Sequence, residues 1–150
     1  MSAYRSPQRH RAINYVDERS FFITANLKDR RRDFLDARLA AHACRVFRQH
    51  RDDGLFFLYA FCVMPDHFHL YLRLRNSGRH LSHIVGSIKA GISRGALRRI
   101  YWQRGYWDWA IRGSESAAAF AQYVLMNPVR AGLVQDYRQY PYSGSIDLWY

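Results

Sequence analysis

Two histidines one residue apart are the side chains of this chain best suited to metal chemistry. His67 and His69 flank Phe68 inside an otherwise apolar run. Residues i and i+2 of a β-strand project from the same face, so a strand here presents both imidazoles side by side and turns Phe68 into a core. Two parallel imidazoles on a rigid strand form half of a metal site, although such pairs are also common as purely structural features.

Tyr123 and Asn127 are the residues that could complete this site. They are four apart, so one helical face would carry both. The amide oxygen of Asn127 is a hard ligand, and two nitrogens plus one oxygen suit Mg²⁺ or Mn²⁺ with substrate oxygens in the remaining positions. Zinc would more typically recruit a third histidine, a cysteine or a carboxylate.

A tyrosine beside such an ion could do covalent chemistry. A nearby cation activates the phenol and makes a bound phosphate more electrophilic, which permits attack of Tyr123 on a DNA phosphodiester. The plainer alternatives are a half-buried core tyrosine at 123 and a helix end at Asn127, which precedes Pro128. Asp66 is interpreted as a turn residue rather than a ligand.

Charge indicates the partner. Lys and Arg number 23 against 12 Asp and Glu, for a net charge of +11, and only Lys28 and Lys89 are lysines. Arginine forks bind phosphate, and the 16% aromatic content suits stacking on unpaired bases, so nucleic acid is favoured over an anionic membrane surface.

Cys44 and Cys62 lack metal-ligand spacing and are expected to be buried free thiols of a reducing cytosol. Neither a signal peptide nor a membrane span is predicted.

The hydrophobic pattern predicts one domain over 1–150 with an α+β fold. A basic N-terminal arm (1–18) precedes the first strand, and an irregular tail (133–150) follows the last helix. Strands are predicted over 20–27, 55–63, 66–73 and 106–112, and helices over 34–51, 81–100 and 117–126. The order β-α-β-β-α-β predicts a ferredoxin-like, four-stranded antiparallel sheet with helices on one face, plus a C-terminal helix that carries Tyr123.

These motifs together resemble a known family. The run from Val63 to Leu70 resembles the histidine–hydrophobic–histidine motif of the HUH endonuclease superfamily. The run from Tyr123 through Asn127-Pro128 to Val134 resembles the nucleophile helix of its single-tyrosine transposases, most closely the REP-associated tyrosine transposases. Tyr4-Arg5 and the segment 102–108 are also similar to that group, so the resemblance spans roughly residues 4–143.

The resemblance implies that Tyr123 is the nucleophile and that His67, His69 and Asn127 bind Mg²⁺ or Mn²⁺. It implies a bacterial enzyme that cleaves single-stranded DNA beside hairpins of palindromic repeats, leaving a 5′-phosphotyrosine and a free 3′-hydroxyl. Tyr4 and Arg5 would help to read a short guide sequence at the foot of the hairpin. Relatives usually carry glutamine where this chain has Asn127, so the helix must sit closer to the histidines.

Partners and rival functions complete the predictions. The candidate phosphate contacts are Arg5, Arg73, Arg94, Arg98 and Arg130. A monomer is predicted because one chain holds both the His pair and the tyrosine; a homodimer is the alternative. The rival from another class is a non-catalytic, ferredoxin-like module that binds nucleic-acid hairpins. A relaxase-like nickase is less favoured, since those proteins tend to be larger and to carry a third histidine.

Overall fold

The computed structural model describes residues 20–75, 78–111 and 117–148. The predicted arm over 1–18, with Tyr4 and Arg5, lies outside the described residues. The elements in chain order are β1 (Ser20–Asn26), α1 (Ala37–Asp52), β2 (Phe56–Met64), β3 (His67–Leu74), α2 (Leu81–Arg94), β4 (Trp107–Ile111), α3 (Ala117–Leu125), α4 (Asn127–Arg130) and β5 (Ser143–Gly144).

The sheet has the strand order β4-β1-β3-β2-β5, and its neighbouring strands are antiparallel. The four longer strands have the predicted ferredoxin-like order. The fifth strand corrects the prediction of an irregular tail over 133–150, because Ser143 and Gly144 pair with Cys62 and Phe61. A Cβ atom on Gly144 would lie 2.9 Å from the Phe61 ring, so glycine is what allows the tail to approach this edge.

The two faces of the sheet are covered by different helices. Helices α1 and α2 pack on the face that contains Phe21, Phe68 and Leu70, as the alternation along the strands predicts. Helix α3 covers part of the opposite face, where Phe120 contacts the rings of Phe22 and Tyr71. Because His67 and His69 alternate with Phe68, they lie on the α3 face.

Helix α2 ends earlier than predicted. It stops at Arg94 rather than continuing to residue 100, and Gly95 follows as its C-cap. A Cβ atom at Gly95 would overlap the His42 ring of α1, at 2.0 Å from Nε2, so the close packing of α1 requires glycine here. Leu97, in the segment after this helix, is 83% exposed.

Pro128 does more than end the last helix. Helix α3 stops at Leu125, one residue before the predicted end, and Met126 makes the turn into α4. Pro128 stands in the first turn of α4, where its missing N–H costs no hydrogen bond. Asn127, at this break, lines one cleft together with His67 and His69 of the sheet.

The described residues contain no helix that is both long and apolar enough to cross a membrane. Cys44 and Cys62 are free and buried, as predicted. Burial raises the pKa of the Cys44 thiol to about 11 and that of Cys62 to about 12, so both thiols remain protonated and unreactive at neutral pH.

Candidate active site

The His pair lies at the start of β3, next to the turn that follows β2, on the face of the sheet that α3 partly covers. His67 stands opposite Asn26 of β1, and His69 stands opposite Thr24. The two imidazoles meet with their Nε2 atoms 3.1 Å apart. Both rings are therefore oriented so that one nitrogen of each points to a common position.

The other nitrogen of each ring has its own partner. His67 Nδ1 lies 2.5 Å from Asp66 Oδ1, and His69 Nδ1 lies 2.9 Å from the Thr24 hydroxyl. An ionised carboxylate only accepts hydrogen bonds, so His67 must donate from Nδ1 and carries its lone pair on Nε2. The Thr24 hydroxyl can donate or accept and therefore serves either tautomer of His69. Partners of this kind orient metal-binding histidines in proteins.

Electrostatics keep these groups in the states that a cation needs. Burial lowers the pKa of His67, despite the opposing effect of the hydrogen bond that His67 donates to Asp66. Burial, followed by the charges of His67 and Arg130, holds the pKa of His69 well below its usual range. Burial acts to raise the pKa of the Asp66 carboxyl, but hydrogen bonds from His67 and Arg30 outweigh it and lower that pKa. Near pH 7 both imidazoles are neutral and Asp66 is ionised.

One cleft brings the predicted residues together. It has a volume of about 310 Å³ and receives His67 and His69 from the sheet and Tyr123 and Asn127 from the α3–α4 break. The remaining lining residues are Phe22, Thr24, Asn26, Arg30 and Trp107. Tyr123 is 37% exposed, so its phenol is accessible from solvent. Residues more than fifty positions apart in the sequence thus share one small cavity.

Asn127 presents the atom that a hard cation prefers. Its Nδ2 donates to the Val124 carbonyl at 2.9 Å, which leaves the amide oxygen as the atom available to the cleft. Two ligand atoms about 2.1 Å from one ion lie about 3.0 Å apart at an octahedral angle and about 3.4 Å apart at a tetrahedral angle. The two Nε2 atoms, 3.1 Å apart, fall within this range. Among the described residues, no group of three or more His, Cys, Asp or Glu side chains is placed to hold a metal ion.

Arg130 contacts Tyr123 directly. Its guanidinium carbon lies 4.1 Å from the centre of the Tyr123 ring, and its Nη2 donates to the Tyr123 carbonyl at 2.6 Å. A cation–π contact of this kind stabilises the position of the Tyr123 ring. The structure therefore gives Arg130 a contact that its prediction as a phosphate contact did not include.

The other predicted DNA contacts are scattered. Arg73 is exposed on β3, on the same face as the His pair, whereas Arg94 ends α2 on the opposite face of the sheet. Arg98 pairs with Asp33 at 2.9 Å and lines a larger cleft of about 670 Å³ beside Arg38, His42 and Arg45. That larger cleft contains neither the His pair nor Tyr123. The two arginines on the α1–α2 side therefore do not converge on the cleft that holds Tyr123.

Sequence reasoning missed several residues that line or support the cleft. Asp66 was assigned only to a turn, yet its carboxylate contacts His67 and Arg30. Its position directly before the His pair was a usable signal. Thr24, Asn26 and Trp107 belong to other strands, and their approach depends on the register of β1 with β3 and β4.

Known proteins match this chain in sequence and in structure. The family described as "Transposase IS200 like" matches residues 22–127. The REP-associated tyrosine transposase of Escherichia coli (strain K12) is 26% identical over 129 residues, covering 86% of this chain and 78% of that protein. A solved REP-associated tyrosine transposase bound to a REP hairpin superposes with a TM-score of 0.70 at 29% identity, over 95% of this chain and 82% of that one.

A crystal structure from Deinococcus radiodurans R1 shares the fold, with a TM-score of 0.52 at 19% identity over 78% of this chain and 95% of that one. The family match includes both the His pair and the Tyr123–Asn127 segment, which the fold brings into one cleft. This chain therefore belongs to the IS200-like transposase family.

Proposed function

We propose that this protein is a metal-dependent endonuclease and strand transferase for single-stranded DNA. It acts beside hairpins of palindromic repeats and passes through a covalent 5′-phosphotyrosine intermediate. The observation that carries the proposal is the convergence of Tyr123, Asn127 and the His pair in one cleft of about 310 Å³. Membership in a transposase family supports the same reaction class.

The proposed reaction conserves bond energy. The phenolic oxygen of Tyr123 attacks the phosphorus and loses its proton to solvent, while the bond from phosphorus to the 3′ oxygen breaks. The departing oxygen takes up a proton and leaves as a 3′-hydroxyl, and the 5′ phosphate stays on Tyr123. Attack by a 3′-hydroxyl in the reverse direction rejoins a strand without an external energy source.

His67, His69 and the amide oxygen of Asn127 are the residues that would hold the divalent cation. When bound, Mg²⁺ or Mn²⁺ supplies polarisation of the scissile phosphate and charge stabilisation. The chain itself supplies neutral imidazoles, whose protonation is disfavoured by burial, and a tyrosine held beside them by Arg130.

The DNA partner is argued from the cleft and from the relatives. Trp107 lines the cleft, is partly exposed and provides aromatic surface for an unpaired base next to the phosphate. A solved relative at 29% identity is bound to a REP hairpin, and we extend that partner to this chain. The net charge of +11 supports binding to a polyanion with strong salt dependence.

We also propose that the active unit is a monomer in the bacterial cytoplasm. One chain contributes both the His pair and Tyr123 to the same cleft, so the cleft needs no residue from a second copy. Light scattering of the purified protein, alone and with a hairpin oligonucleotide, measures the oligomeric state. A mass of two chains at working concentration would favour the homodimer instead.

The central test follows the two halves of a hairpin oligonucleotide with a single-stranded flank. With Mn²⁺ present, a 3′-labelled strand is expected to migrate with the protein on a denaturing gel, while a 5′-labelled fragment is released. Tyr123→Phe removes the nucleophile and abolishes the adduct. Tyr101→Phe is the matched control, because Tyr101 is 40% exposed, close to the exposure of Tyr123, but lies outside the cleft.

Two outcomes would contradict the proposal. Salt-dependent binding of the hairpin with no adduct under Mg²⁺ or Mn²⁺ would support the non-catalytic binding module. An adduct that persists in Tyr123→Phe and maps to another residue by mass spectrometry would exclude the nucleophile proposed here.

A further inference from the structure

A left-handed turn after β1 points to a further residue of the site. Asp29 and Arg30 have φ angles of 55° and 54°, and among the described residues they are the only non-glycine residues with positive φ. Two successive side chains in this region are unfavourable, because each Cβ crowds the backbone. Such strain persists only where the surroundings enforce it, and it occurs often at functional sites.

Backbone hydrogen bonds hold this turn against the neighbouring loops. Arg30 N donates to Leu27 O at 3.2 Å, and Lys28 N donates to Tyr101 O at 2.9 Å. Leu27 N in turn donates to Asp66 O at 2.9 Å, which joins the end of β1 to the turn between β2 and β3. The turn therefore has a defined position relative to Asp66 and the start of β3.

The side chain of Arg30 is directed from this turn back toward the histidines. Its Nε donates to Asp66 Oδ2 at 2.8 Å, and its Nη1 lies 3.4 Å from Asn26 Oδ1. The second oxygen of the same carboxylate accepts from His67 Nδ1 at 2.5 Å. Arg30, Asp66 and His67 thus form a chain of charged hydrogen bonds that ends at the cleft.

The hydrogen bonds from Arg30 and His67 to Asp66 determine which nitrogen of His67 faces the cation site. Asp66 is only partly buried, with 21% of its side chain exposed, so without Arg30 its carboxylate could rotate toward solvent. A freed carboxylate would no longer select the Nδ1–H tautomer, and the Nε2 lone pair would not be directed at His69. The ligand geometry therefore depends on a residue that does not reach the ion.

We propose that Arg30 is a positioning residue for the cation site, acting through Asp66 to hold the ring and tautomer of His67. The inference rests on the proposed function in taking His67 and His69 as ligands. It links the strained turn to the site, because Arg30 reaches Asp66 from that turn.

Direct Mn²⁺ binding, measured by the loss of the free-ion EPR signal, tests this dependence. Removing a partner that orients a metal ligand typically weakens metal binding about 10–100-fold, which we expect for Asp66→Ala. Arg30 is one hydrogen bond further from His67 than Asp66 is. Arg30→Ala is therefore expected to raise the half-saturating Mn²⁺ concentration roughly 3–10-fold. Arg30→Lys should recover part of the loss, because an ammonium group supplies one donor to Asp66.

Glycine variants separate strain from positioning. Arg30→Gly relieves the backbone and should leave the melting temperature unchanged or higher, yet it should weaken Mn²⁺ binding as Arg30→Ala does. Asp29→Gly is the matched control, since it relieves the neighbouring residue and keeps the guanidinium. Arg32→Ala is a second control, because Arg32 is an exposed arginine of the same segment outside the cleft.

Imidazole ¹⁵N NMR reports the tautomer without any metal. In the wild-type protein His67 should show the signature of a hydrogen on Nδ1, and Arg30→Ala should shift it toward a mixture of tautomers. Unchanged tautomer and unchanged Mn²⁺ binding in both Arg30→Ala and Arg30→Gly would overturn the inference. If His67→Ala binds Mn²⁺ as tightly as the wild-type protein, the proposed cation site is refuted. The NMR spectra would still test whether Arg30 holds the tautomer of His67.

Discussion

Arg130 provides the sharpest test of how Tyr123, the proposed nucleophile, is placed. Its guanidinium stacks on the Tyr123 ring at 4.1 Å and donates to the Tyr123 carbonyl at 2.6 Å. A cation–π contact at a partly exposed site contributes about 0.5–2 kcal/mol. The hydrogen bond to the carbonyl adds a net stabilisation of about 0.5–1 kcal/mol at such a site.

Only part of this energy selects the productive ring position, because the carbonyl contact acts mainly on the α3–α4 break. We take about 1–2 kcal/mol as the loss in Arg130→Ala, which corresponds to a rate roughly 5–30-fold lower. Arg130→Lys keeps the charge but loses the planar stack, so its rate should lie between those of the wild-type protein and Arg130→Ala.

Single-turnover formation of the covalent adduct at saturating oligonucleotide measures this step. If Arg130 positions Tyr123, the maximal rate falls and the oligonucleotide affinity changes little. If Arg130 is instead a phosphate contact, the affinity falls and the slope of log Kd against log salt decreases by about one, while the maximal rate is kept. Arg138→Ala is the control, because Arg138 pairs with Asp136 away from the cleft. A wild-type maximal rate in Arg130→Ala would refute the positioning argument.

Further predictions concern the metal and the tail. A chelator should abolish the adduct but leave hairpin binding, as measured by fluorescence anisotropy, because the cation acts on the reacting phosphate. Asp147→Ala should lower the free energy of unfolding by about 2–4 kcal/mol in urea melts, since it leaves the Leu58 N–H and Arg51 without their 2.8 Å and 2.6 Å partners. Hydrogen bonds from Arg51, together with that from the Leu58 N–H, lower the pKa of Asp147, so its stabilisation is complete above the unfolded pKa near 4 and is lost as pH falls below that value. The wild-type melting temperature should therefore fall more steeply below pH 4 than that of Asp147→Asn. Gly144→Ala should lower the melting temperature, because the added methyl group meets Phe61; an unchanged value would mean that the tail does not pair with β2 in solution.

Much of the fold followed from local patterns. Alternating apolar residues predicted β1 to β4 within one or two residues, and the order of elements predicted the ferredoxin-like sheet. These predictions were confirmed because strand alternation and helical spacing are properties of the backbone itself.

Predictions that depended on packing were less accurate. Helix α2 was expected to continue to residue 100, but it ends at Arg94, and Gly95 beyond it leaves room for the His42 ring of α1. The short strand β5 was not predicted, since two residues have no periodicity and pair only because β2 offers a free edge. The irregularity in β2 between Leu58 and Ala60 places Tyr59 and Ala60 on the same face, which strict alternation cannot predict.

The sequence by itself predicted the groups that we propose to react. The His-x-His spacing places both imidazoles on one side of a strand, and the Tyr123–Asn127 spacing places a phenol and an amide at one end of a helix. Only the tertiary structure decided that these two segments face each other, that Arg130 stacks on Tyr123, and that Arg30 holds Asp66 against His67. The physical reason is that alternation and helical spacing act over a few residues, whereas strand register, the break at Pro128 and the left-handed turn at Arg30 depend on contacts between distant parts of the chain.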